Sequence, residues 1–333
     1  MMLDDKATKP HDRLAAALSD DLVAVNALIR DRMASRHAPR IPEVTAHLVE
    51  AGGKRLRPML TLAAARLCGY AGGDHVKLAA TVEFIHTATL LHDDVVDESA
   101  QRRGRPTANL LWDNKSSVLV GDYLFARSFQ LMIETGNLRV LDILADASAT
   151  IAEGEVLQLT AAQSTATDEA TYLQIIRGKT AALFAAATEV GGVIAGVDAA
   201  QVQGLRDYGD ALGIAFQMAD DLLDYQGDAK ATGKNVGDDF RDRKMTLPVI
   251  HAYARGDADE RAFWDRVISR GDQKDGDLDR ALDLMERHGT LDSARRVALH
   301  WGQVARDALA PLPDHPLRDM LSDLADYVVA RLN

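Results

Sequence analysis

Leu90-Leu91-His92-Asp93-Asp94-Val95-Val96-Asp97 is the stretch around which the chain is organised, because it ends a long apolar run in a group of carboxylates. The run from Ala79 to Leu91 predicts a buried helix. Asp93 and Asp97 are four residues apart, so on a helix they lie on one face and repel each other. A hard cation would relieve that repulsion, and Mg²⁺ typically takes one or two carboxylates with phosphate oxygens and water.

A second copy of this motif, Asp220-Asp221-Leu222-Leu223-Asp224, follows the mostly apolar run from Leu212 to Ala219. A lone copy could be no more than a charged helix end. Two copies with equal spacing, each ending an apolar helix, indicate a common function. They predict two helices that face each other across the core of a helical bundle.

Composition narrows the fold and the partners. The 333-residue chain is 47% hydrophobic, enough for a substantial core, and its formal net charge is −12. That charge argues against nucleic acid as a partner, since a phosphate backbone requires clustered Lys and Arg. The single cysteine, Cys68, excludes an internal disulfide and a Cys-based metal cluster. Strand signals are nearly absent, so we predict an all-α protein.

The chain reads as one large helical bundle over 1–333, with 1–11 flexible and no low-complexity linker. We expect an amphipathic first helix near 12–34, and short helices from Pro42 to Gly52-Gly53 and from Pro58 to Cys68. The other predicted helices span 74–98, 114–135, 138–163, 168–195, 198–226 and 246–254, and the last lies near 317–332. The apolar stretch 181–197 contains Glu189 and predicts a core helix rather than a membrane span. The polar segment 1–10 lacks the apolar core of a signal peptide, which favours the cytoplasm.

Cationic residues cluster in turns that flank the acidic motifs. The clusters are Gly52-Gly53-Lys54-Arg55-Leu56-Arg57-Pro58, Arg102-Arg103-Gly104-Arg105, Gly178-Lys179-Thr180, Gly233-Lys234 and Lys244. Glycine lets the backbone approach a ligand closely, and arginine suits bidentate binding of phosphate oxygens. A basic turn alone is usually solvated surface. In so acidic a chain, these clusters indicate two phosphorylated ligands, one bridged by Mg²⁺ and one held by Lys and Arg.

Two polar residues within the apolar helices have two interpretations each. His86 lies two helical turns before Asp93 on the same face, and Gln217 lies three residues before Asp220. His86 is either a satisfied core histidine or a group directed at the acidic site. Gln217 is either a helix-packing amide or a hydrogen-bond donor to a phosphate.

On these motifs the sequence resembles the trans-isoprenyl diphosphate synthases, from about residue 12 to the end. The matching elements are the basic turn 52–58, both aspartate motifs, Arg102-Arg103-Gly104, Gly178-Lys179-Thr180, Phe216-Gln217, Gly233-Lys234, Asp238 and Lys244. No motif is broken, which counts against an inactive subunit. The resemblance implies an active site in the central cavity of an all-helical isoprenoid synthase fold.

The resemblance also implies roles for these residues. Asp93, Asp94, Asp97, Asp220, Asp221 and Asp224 would bind Mg²⁺, about three ions per site with substrate. Arg102, Lys179, Thr180, Gln217, Lys234 and Lys244 would contact the allylic diphosphate. Lys54, Arg57, His86 and Arg103 would bind isopentenyl diphosphate. Asp93, Asp94, Asp97, Asp220 and Lys179 would be catalytic.

The reaction implied is the condensation of isopentenyl diphosphate with an allylic diphosphate such as farnesyl diphosphate. Two other classes are weighed beside it. A class I terpene cyclase would normally have a different second metal motif and has no need of the site at Lys54 and Arg57. A non-catalytic partner subunit would be expected to have lost aspartates. The resemblance further implies a homodimer without a membrane span, whose product could partition into membranes.

Product length is expected from the residues below the first motif. Two residues separate Asp94 from Asp97, whereas four are common in the bacterial short-chain relatives. In short-chain relatives an aromatic residue at one of the positions of Ala88 and Thr89 closes the product tunnel; here both are small. Each opened helical turn adds about 5 Å, room for roughly one isoprene unit. We therefore expect about C40 to C50, of the kind used for quinone side chains, with a C20 geranylgeranyl product as the alternative.

Overall fold

The computed structural model describes residues 9–35, 37–50, 54–102, 104–226 and 236–330. Most of this part of the chain is helical, which confirms the predicted all-α class. The only strands in the described ranges are β1 (Gln101–Arg102) and β2 (Arg105–Pro106), which pair antiparallel directly after the first acidic motif. None of the described helices has the length and apolarity that crossing a bilayer requires.

The helices of the first half of the chain are α1 (Pro10–Ala17), α2 (Ser19–Met33), α3 (Arg40–Glu50), α4 (Leu56–Leu67), α5 (Asp74–Val96), α6 (Ala108–Leu111), α7 (Asn114–Ile133) and α8 (Leu138–Ala161). Those of the second half are α9 (Glu169–Ile176), α10 (Ala182–Ala195), α11 (Ala199–Gln226), α12 (Asp238–Arg241), α13 (Leu247–Arg255), α14 (Ala258–Trp264), α15 (Asp277–Arg287), α16 (Thr290–Ala308) and α17 (Pro316–Ala330). Most ends lie within two residues of the predicted ones.

Two predicted helices are divided in the structure. The first is interrupted at Leu18, whose backbone leaves the helical region at φ −113° and ψ 18°. The predicted apolar stripe of this segment still faces the core, since Leu14, Leu18 and Val25 are buried. The helix predicted over 168–195 is split by a π-helical turn, Arg177–Ala181, between α9 and α10. Such π-turns are frequent at functional sites.

The chain forms two compact units. The first contains residues 1–148, 183–206 and 309–324. Its centre is α5, which packs against α2, α4 and α7 and buries Phe84, Ile85 and Leu91 almost completely. Truncating one such side chain to Ala typically costs about 2–5 kcal/mol of unfolding free energy. This unit holds the first acidic motif at the end of a rigidly packed helix.

Close helix approach in the first unit depends on glycine. A Cβ at Gly191 of α10 would come within 2.7 Å of the backbone nitrogen of Ala65 on α4. At the α5–α7 contact, the His92 ring lies where a side chain at Gly121 would be. Gly191 leaves no room for a larger residue beside the α4 backbone, whereas the His92 ring can turn away from a side chain at position 121.

The second unit contains residues 149–182, 207–308 and 325–333. Within it α13 packs against α9, α14, α15 and α16. Tyr208 of α11 and Trp264 of α14 are fully buried. This unit holds the second acidic motif near the end of α11. Whether the chain is a single domain, as the sequence predicts, stays a prediction.

Candidate active site

The first acidic motif occupies the last turn of α5. Asp97 caps the helix, and its backbone N–H donates to the Asp93 carbonyl at 2.8 Å, so the two side chains keep the predicted helical spacing. Asp93 is half-buried and Asp97 is exposed, whereas Asp94 is completely buried. The motif therefore presents its outer carboxylates and buries the middle one.

Asp94 is held by a cation from the hairpin that follows the motif. Its Oδ1 accepts from Arg102 Nε at 2.8 Å and lies 2.7 Å from Arg102 Nη2. Its Oδ2 is buried and has no hydrogen-bond partner among the described residues. The Asn109 amide donates to the Asp94 carbonyl at 3.2 Å, which fastens the returning chain to the helix end. Arg103, predicted to bind isopentenyl diphosphate, lies outside the described residues.

The basic turn before α4 brings its arginines to the middle of α5. Arg55, the residue before α4, has a left-handed backbone with φ 48° and forms an ion pair with Glu83. Arg57 Nη1 lies 3.2 Å from His86 Nε2, and its guanidinium stacks 4.5 Å from the centre of the Phe184 ring. Lys54 is exposed beside them.

A cleft lies among these groups of the first unit. It is lined by His47, Leu48, Arg55, Glu83, His86, Thr87, Leu90, Arg102, Pro106 and Thr107. His86 is half-buried and lines this cleft beside the two arginines, and its role as a site residue stays a prediction. Two arginines in one cleft suit an anionic ligand with several oxygens.

The second acidic motif buries its middle aspartate as well. Asp221 accepts from the Tyr172 hydroxyl at 2.6 Å and from Gln217 Nε2 at 2.8 Å, and it is 7% exposed. Burial, reinforced by the nearby Asp239 carboxylate, raises the pKa of Asp221 to about 7. Asp220 is half-buried and directly precedes it.

Asp224 anchors the chain where it returns as α12. Its carboxylate accepts the backbone N–H groups of Asp238 at 3.2 Å and of Asp239 at 3.0 Å. Burial and the Asp239 charge raise the pKa of Asp224 to about 6, despite these bonds. Two of the backbone donors at the start of α12 are thereby satisfied, so Asp224 has a structural task beside any role in metal binding.

Lys244 supplies positive charge to this acidic cluster. Its Nζ lies 3.1 Å from Asp239 Oδ1 and 3.1 Å from Asp242 Oδ2. Burial lowers the pKa of Lys244, but the two carboxylates raise it more, so the ammonium stays charged. Burial raises the pKa of Asp239, and Lys244 opposes that rise. Lys234 lies outside the described residues.

Lys179 and Thr180 lie on the π-turn. Lys179 Nζ donates to Glu155 Oε2 at 2.9 Å, and the Thr180 hydroxyl donates to Gln217 Oε1 at 2.8 Å. The turn presses directly on α8, because a Cβ at Gly154 would come within 2.7 Å of the Lys179 backbone nitrogen. Glycine at this contact thus sets the position of the lysine.

The donor set suits a hard cation that also takes ligands from a substrate. The exposed and half-buried groups of both motifs are carboxylates, the oxygen ligands that Mg²⁺ prefers. Among the described residues no three His, Cys, Asp or Glu side chains are already arranged to hold a metal ion. Mg²⁺ that reaches the protein on a diphosphate needs only one or two carboxylates from the chain.

Comparison with known proteins gives the family. Residues 38–285 match the polyprenyl synthetase family. The chain belongs to this family. Octaprenyl diphosphate synthase of Escherichia coli (strain K12) is 43% identical over 320 residues, covering 96% of this chain and 98% of that protein. The chain is therefore a prenyltransferase of the polyprenyl diphosphate synthase type.

Solved structures agree with this assignment. A decaprenyl diphosphate synthase from Rhodobacter capsulatus is 74% identical with a TM-score of 0.95, covering 97% of this chain and 99% of that one. A polyprenyl synthase from Caulobacter crescentus CB15, complexed with calcium and isoprenyl diphosphate, is 52% identical with a TM-score of 0.91, covering 96% and 97%. The fold is thus that of the helical polyprenyl synthases.

Each unit brings some predicted residues together. The first unit joins Asp94 to Arg102, and Arg57 to His86; the second joins Thr180 to Gln217. Sequence reasoning missed the partners of these groups, which are Glu83, Asn109, Glu155, Tyr172 and Asp239. Glu155 follows Gly154 in an acidic helix turn, a weak signal. Nothing in the sequence marks Tyr172, which is 49 residues from its partner.

Proposed function

We propose that the protein elongates an allylic diphosphate such as farnesyl diphosphate with isopentenyl diphosphate, to an all-trans product of about C40 to C50. The observation that carries this proposal is the cleft of the first unit, which Arg55 and Arg102 line and where Arg102 contacts Asp94 of the first carboxylate motif. The octaprenyl and decaprenyl names of the relatives support a long product. A product of that length fits a quinone side chain, made in the cytoplasm and delivered to a membrane.

We assign isopentenyl diphosphate to Lys54, Arg57, His86 and Arg103, of which His86 lines the cleft of the first unit. We assign the allylic diphosphate to Arg102, Lys179, Lys234 and Lys244, with Thr180 and Gln217 beside it. Asp93, Asp94 and Asp97 would hold Mg²⁺ on that diphosphate, and Asp220, with Asp221 and Asp224, a further ion. Bound Mg²⁺ neutralises charge on the diphosphate oxygens.

The chemistry needs no nucleophilic side chain. The bond between C1 and oxygen of the allylic diphosphate breaks, and pyrophosphate leaves with the electron pair. The double bond of isopentenyl diphosphate supplies the pair for the new carbon–carbon bond, and a proton is then lost to the departed pyrophosphate. Arg102 and Lys179 stabilise the charge that develops on pyrophosphate. Apolar residues such as Leu90 exclude the water that would quench the allylic cation.

The assay that tests the reaction class compares two quantities. The protein is incubated with Mg²⁺, farnesyl diphosphate and labelled isopentenyl diphosphate, and pyrophosphate released is compared with isopentenyl diphosphate consumed. We expect one pyrophosphate for each isopentenyl unit added. A terpene cyclase would release pyrophosphate without consuming isopentenyl diphosphate, and a non-catalytic subunit alone would do neither; either result overturns the proposal.

The long product is supported by the packing of α5 below the first motif. Ala88 is fully buried, and the hydroxyl of Thr89 donates to the His86 carbonyl at 2.9 Å, so its polar group is satisfied within the helix. The next residue one turn below Ala88 is Phe84, which is 1% exposed. We infer that the floor of the product tunnel lies at least as deep as Phe84.

Ala88→Phe tests this inference. The aromatic ring should block the tunnel while leaving the metal-binding carboxylates in place, so the product should shorten to about C15–C20 with the first condensation retained. Chromatography of the dephosphorylated products measures the length. Because Ala88 is buried, circular dichroism should verify that the variant is folded, and Thr89→Phe offers a second, less buried position. An unchanged product from both folded variants contradicts the tunnel.

A homodimer is the proposed assembly. Large apolar side chains are exposed on the first unit around α6, α7 and the start of α8: Leu110, Leu111, Val118, Leu119, Ile133 and Leu138. Such a patch marks an association surface, and a second copy of the chain is our proposed occupant. Light scattering should give twice 36.1 kDa. Leu119→Glu should shift the protein toward monomer and Val23→Glu, an equally exposed site on α2, should not. A monomeric wild type rules the dimer out.

A further inference from the structure

The middle aspartate of the second motif is enclosed by neutral donors. Oδ2 of Asp221 accepts from the Tyr172 hydroxyl and Oδ1 accepts from Gln217 Nε2, at 2.6 and 2.8 Å. Each carboxylate oxygen therefore has a protein donor. The ring of Tyr172 is itself buried, with 4% of the residue exposed.

These bonds fix the orientation of the Gln217 amide. An ionised carboxylate only accepts hydrogen bonds, so Gln217 must turn its nitrogen toward Asp221. Its carbonyl oxygen then faces Thr180, whose hydroxyl donates to it at 2.8 Å. Four side chains thus form one hydrogen-bonded series from Tyr172 to Thr180, in which the donors of both ends point toward Asp221.

The series restricts what Thr180 can offer to a ligand. A hydroxyl has one proton, and the proton of Thr180 is used in the bond to Gln217. While this bond exists, Thr180 cannot donate to a phosphate oxygen. Its hydroxyl serves to hold the Gln217 amide in place, and Gln217, with two N–H groups, remains the donor of the pair.

Tyr172 is well fixed at the far end of this series. It lies in the first turn of α9, which Asp168 caps by accepting the Thr171 backbone N–H at 2.8 Å. The next residues along the chain after α9 form the π-turn that carries Lys179 and Thr180. Tyr172 and Thr180 are therefore joined twice, through the backbone and through Asp221 and Gln217.

We propose that Tyr172 is a positioning residue for the allylic diphosphate, acting through Asp221 to fix the amide of Gln217 and the hydroxyl of Thr180. This inference rests on the proposed function, because it assigns Gln217 to that substrate. A tyrosine that only filled the core would affect stability without distinguishing between the two substrates. A positioning role predicts an effect on one substrate alone.

Tyr172→Phe removes the hydroxyl and keeps the ring. We expect kcat to fall and the KM for farnesyl diphosphate to rise, together about 10- to 100-fold in kcat/KM, as is typical for groups that orient a ligand-binding residue. The KM for isopentenyl diphosphate should stay unchanged. Calorimetric binding of inorganic pyrophosphate with Mg²⁺ should weaken in parallel, which gives a readout independent of turnover.

Tyr208→Phe is the matched control. Tyr208 is fully buried on the same helix as Asp221 and about 20 Å before it. This variant should resemble the wild type in both KM values even where its melting temperature falls. If Tyr172→Phe gives the same KM values as Tyr208→Phe, or raises both KM values of the two substrates equally, Tyr172 is not a positioning residue.

Thr180→Val tests the series from its other end, also where Tyr172→Phe folds poorly, and a double-mutant cycle combines the two substitutions. Thr180→Val removes the other end of the series with little change in shape and should itself weaken pyrophosphate binding. In the double variant the losses should be smaller than their sum, because the first substitution already releases Gln217. Additive losses overturn the inference. A wild-type protein that consumes no isopentenyl diphosphate overturns the proposed function instead, which separates the two failures.

Discussion

The two acidic motifs have the same spacing, but their buried middle aspartates have different kinds of hydrogen-bond partner. Asp94 is fully buried against the guanidinium of Arg102, a charged partner eight residues away. Asp221 is nearly as buried, yet its partners in the structure are the neutral donors Tyr172 and Gln217. The first motif surrounds its buried carboxylate with a cation, and the second surrounds it with neutral hydrogen-bond donors.

This difference has a structural source. The first motif ends its helix, so a short hairpin can return Arg102 to it at once. The second motif lies inside α11, which continues for two residues after Asp224. Its hydrogen-bond partners outside that helix therefore come from α9 and α12. A repeated motif therefore predicts the same metal-binding role for the outer carboxylates of both copies. The partners of the middle carboxylate depend on which other helices and loops pack against it.

The largest effect is expected where the motifs are alike, at their first aspartates. Asp93→Ala or Asp220→Ala should each lower kcat at least about 100-fold, because stabilisation of the departing diphosphate is lost. Removing a repelling carboxylate should leave the fold intact, which circular dichroism can verify. A near-normal rate in either variant at saturating Mg²⁺ would refute the assigned roles.

The next effect separates the two middle aspartates. Arg102→Leu leaves the buried Asp94 charge unpaired and should lower the free energy of unfolding by about 3–5 kcal/mol. Tyr172→Phe removes one neutral donor from Asp221 and should cost about 1–3 kcal/mol. Urea denaturation of both variants measures the difference. Equal costs would show that the charge of the partner does not distinguish the motifs.

The most gradual effect, spread over several pH units, is in the pH dependence of stability without metal. The pKa of Asp221 is raised to about 7 in the folded state, so the folded chain binds more protons than the unfolded chain between about pH 4 and 7, and its stability falls as the pH rises. The Asp221→Asn variant has no carboxyl at this position and does not lose this stability as the pH rises. Its stability relative to the wild type should improve across that range, by at most about 1.4 kcal/mol per pH unit, and level off above pH 7.

Asp21→Asn is the control of opposite sign. The Arg66 guanidinium lowers the pKa of Asp21 more than burial raises it. Its contribution to stability is therefore present above about pH 4 and is lost as the pH falls further. The destabilisation caused by Asp21→Asn should be constant from pH 4 to 7 in chelator and shrink below that. Parallel pH profiles for the two variants would contradict the assignment of Asp221.

The fold could be predicted from the sequence because helical periodicity is a local signal. The long apolar run before Asp93 gave α5 to within two residues. The π-turn at 177–181 could not be predicted, because it depends on the contact of Gly178 with Gly154, residues that no periodicity connects. The interruption at Leu18 likewise could not be predicted, because the spacing of apolar residues is the same on both sides of it.

The charged site residues that stand in short sequence motifs could be predicted, whereas their partners on other helices could not. Lys179 was identified by its glycine neighbour, but Glu155, which accepts its hydrogen bond, comes from another helix. Tyr172 gives no signal because a buried aromatic residue in an apolar helix is ordinary core. Partners across helices are set by packing, and a single sequence does not encode them in any local pattern.

The chain length of the product made by the unaltered protein tests the proposed function most directly. Farnesyl diphosphate, excess labelled isopentenyl diphosphate and Mg²⁺ are incubated with the protein, and the dephosphorylated product is analysed by mass spectrometry. We expect all-trans chains of about C40 to C50, since Ala88 and Thr89 below the first motif are too small to close the proposed product tunnel. A product that stops at C20, or no consumption of isopentenyl diphosphate, would contradict it.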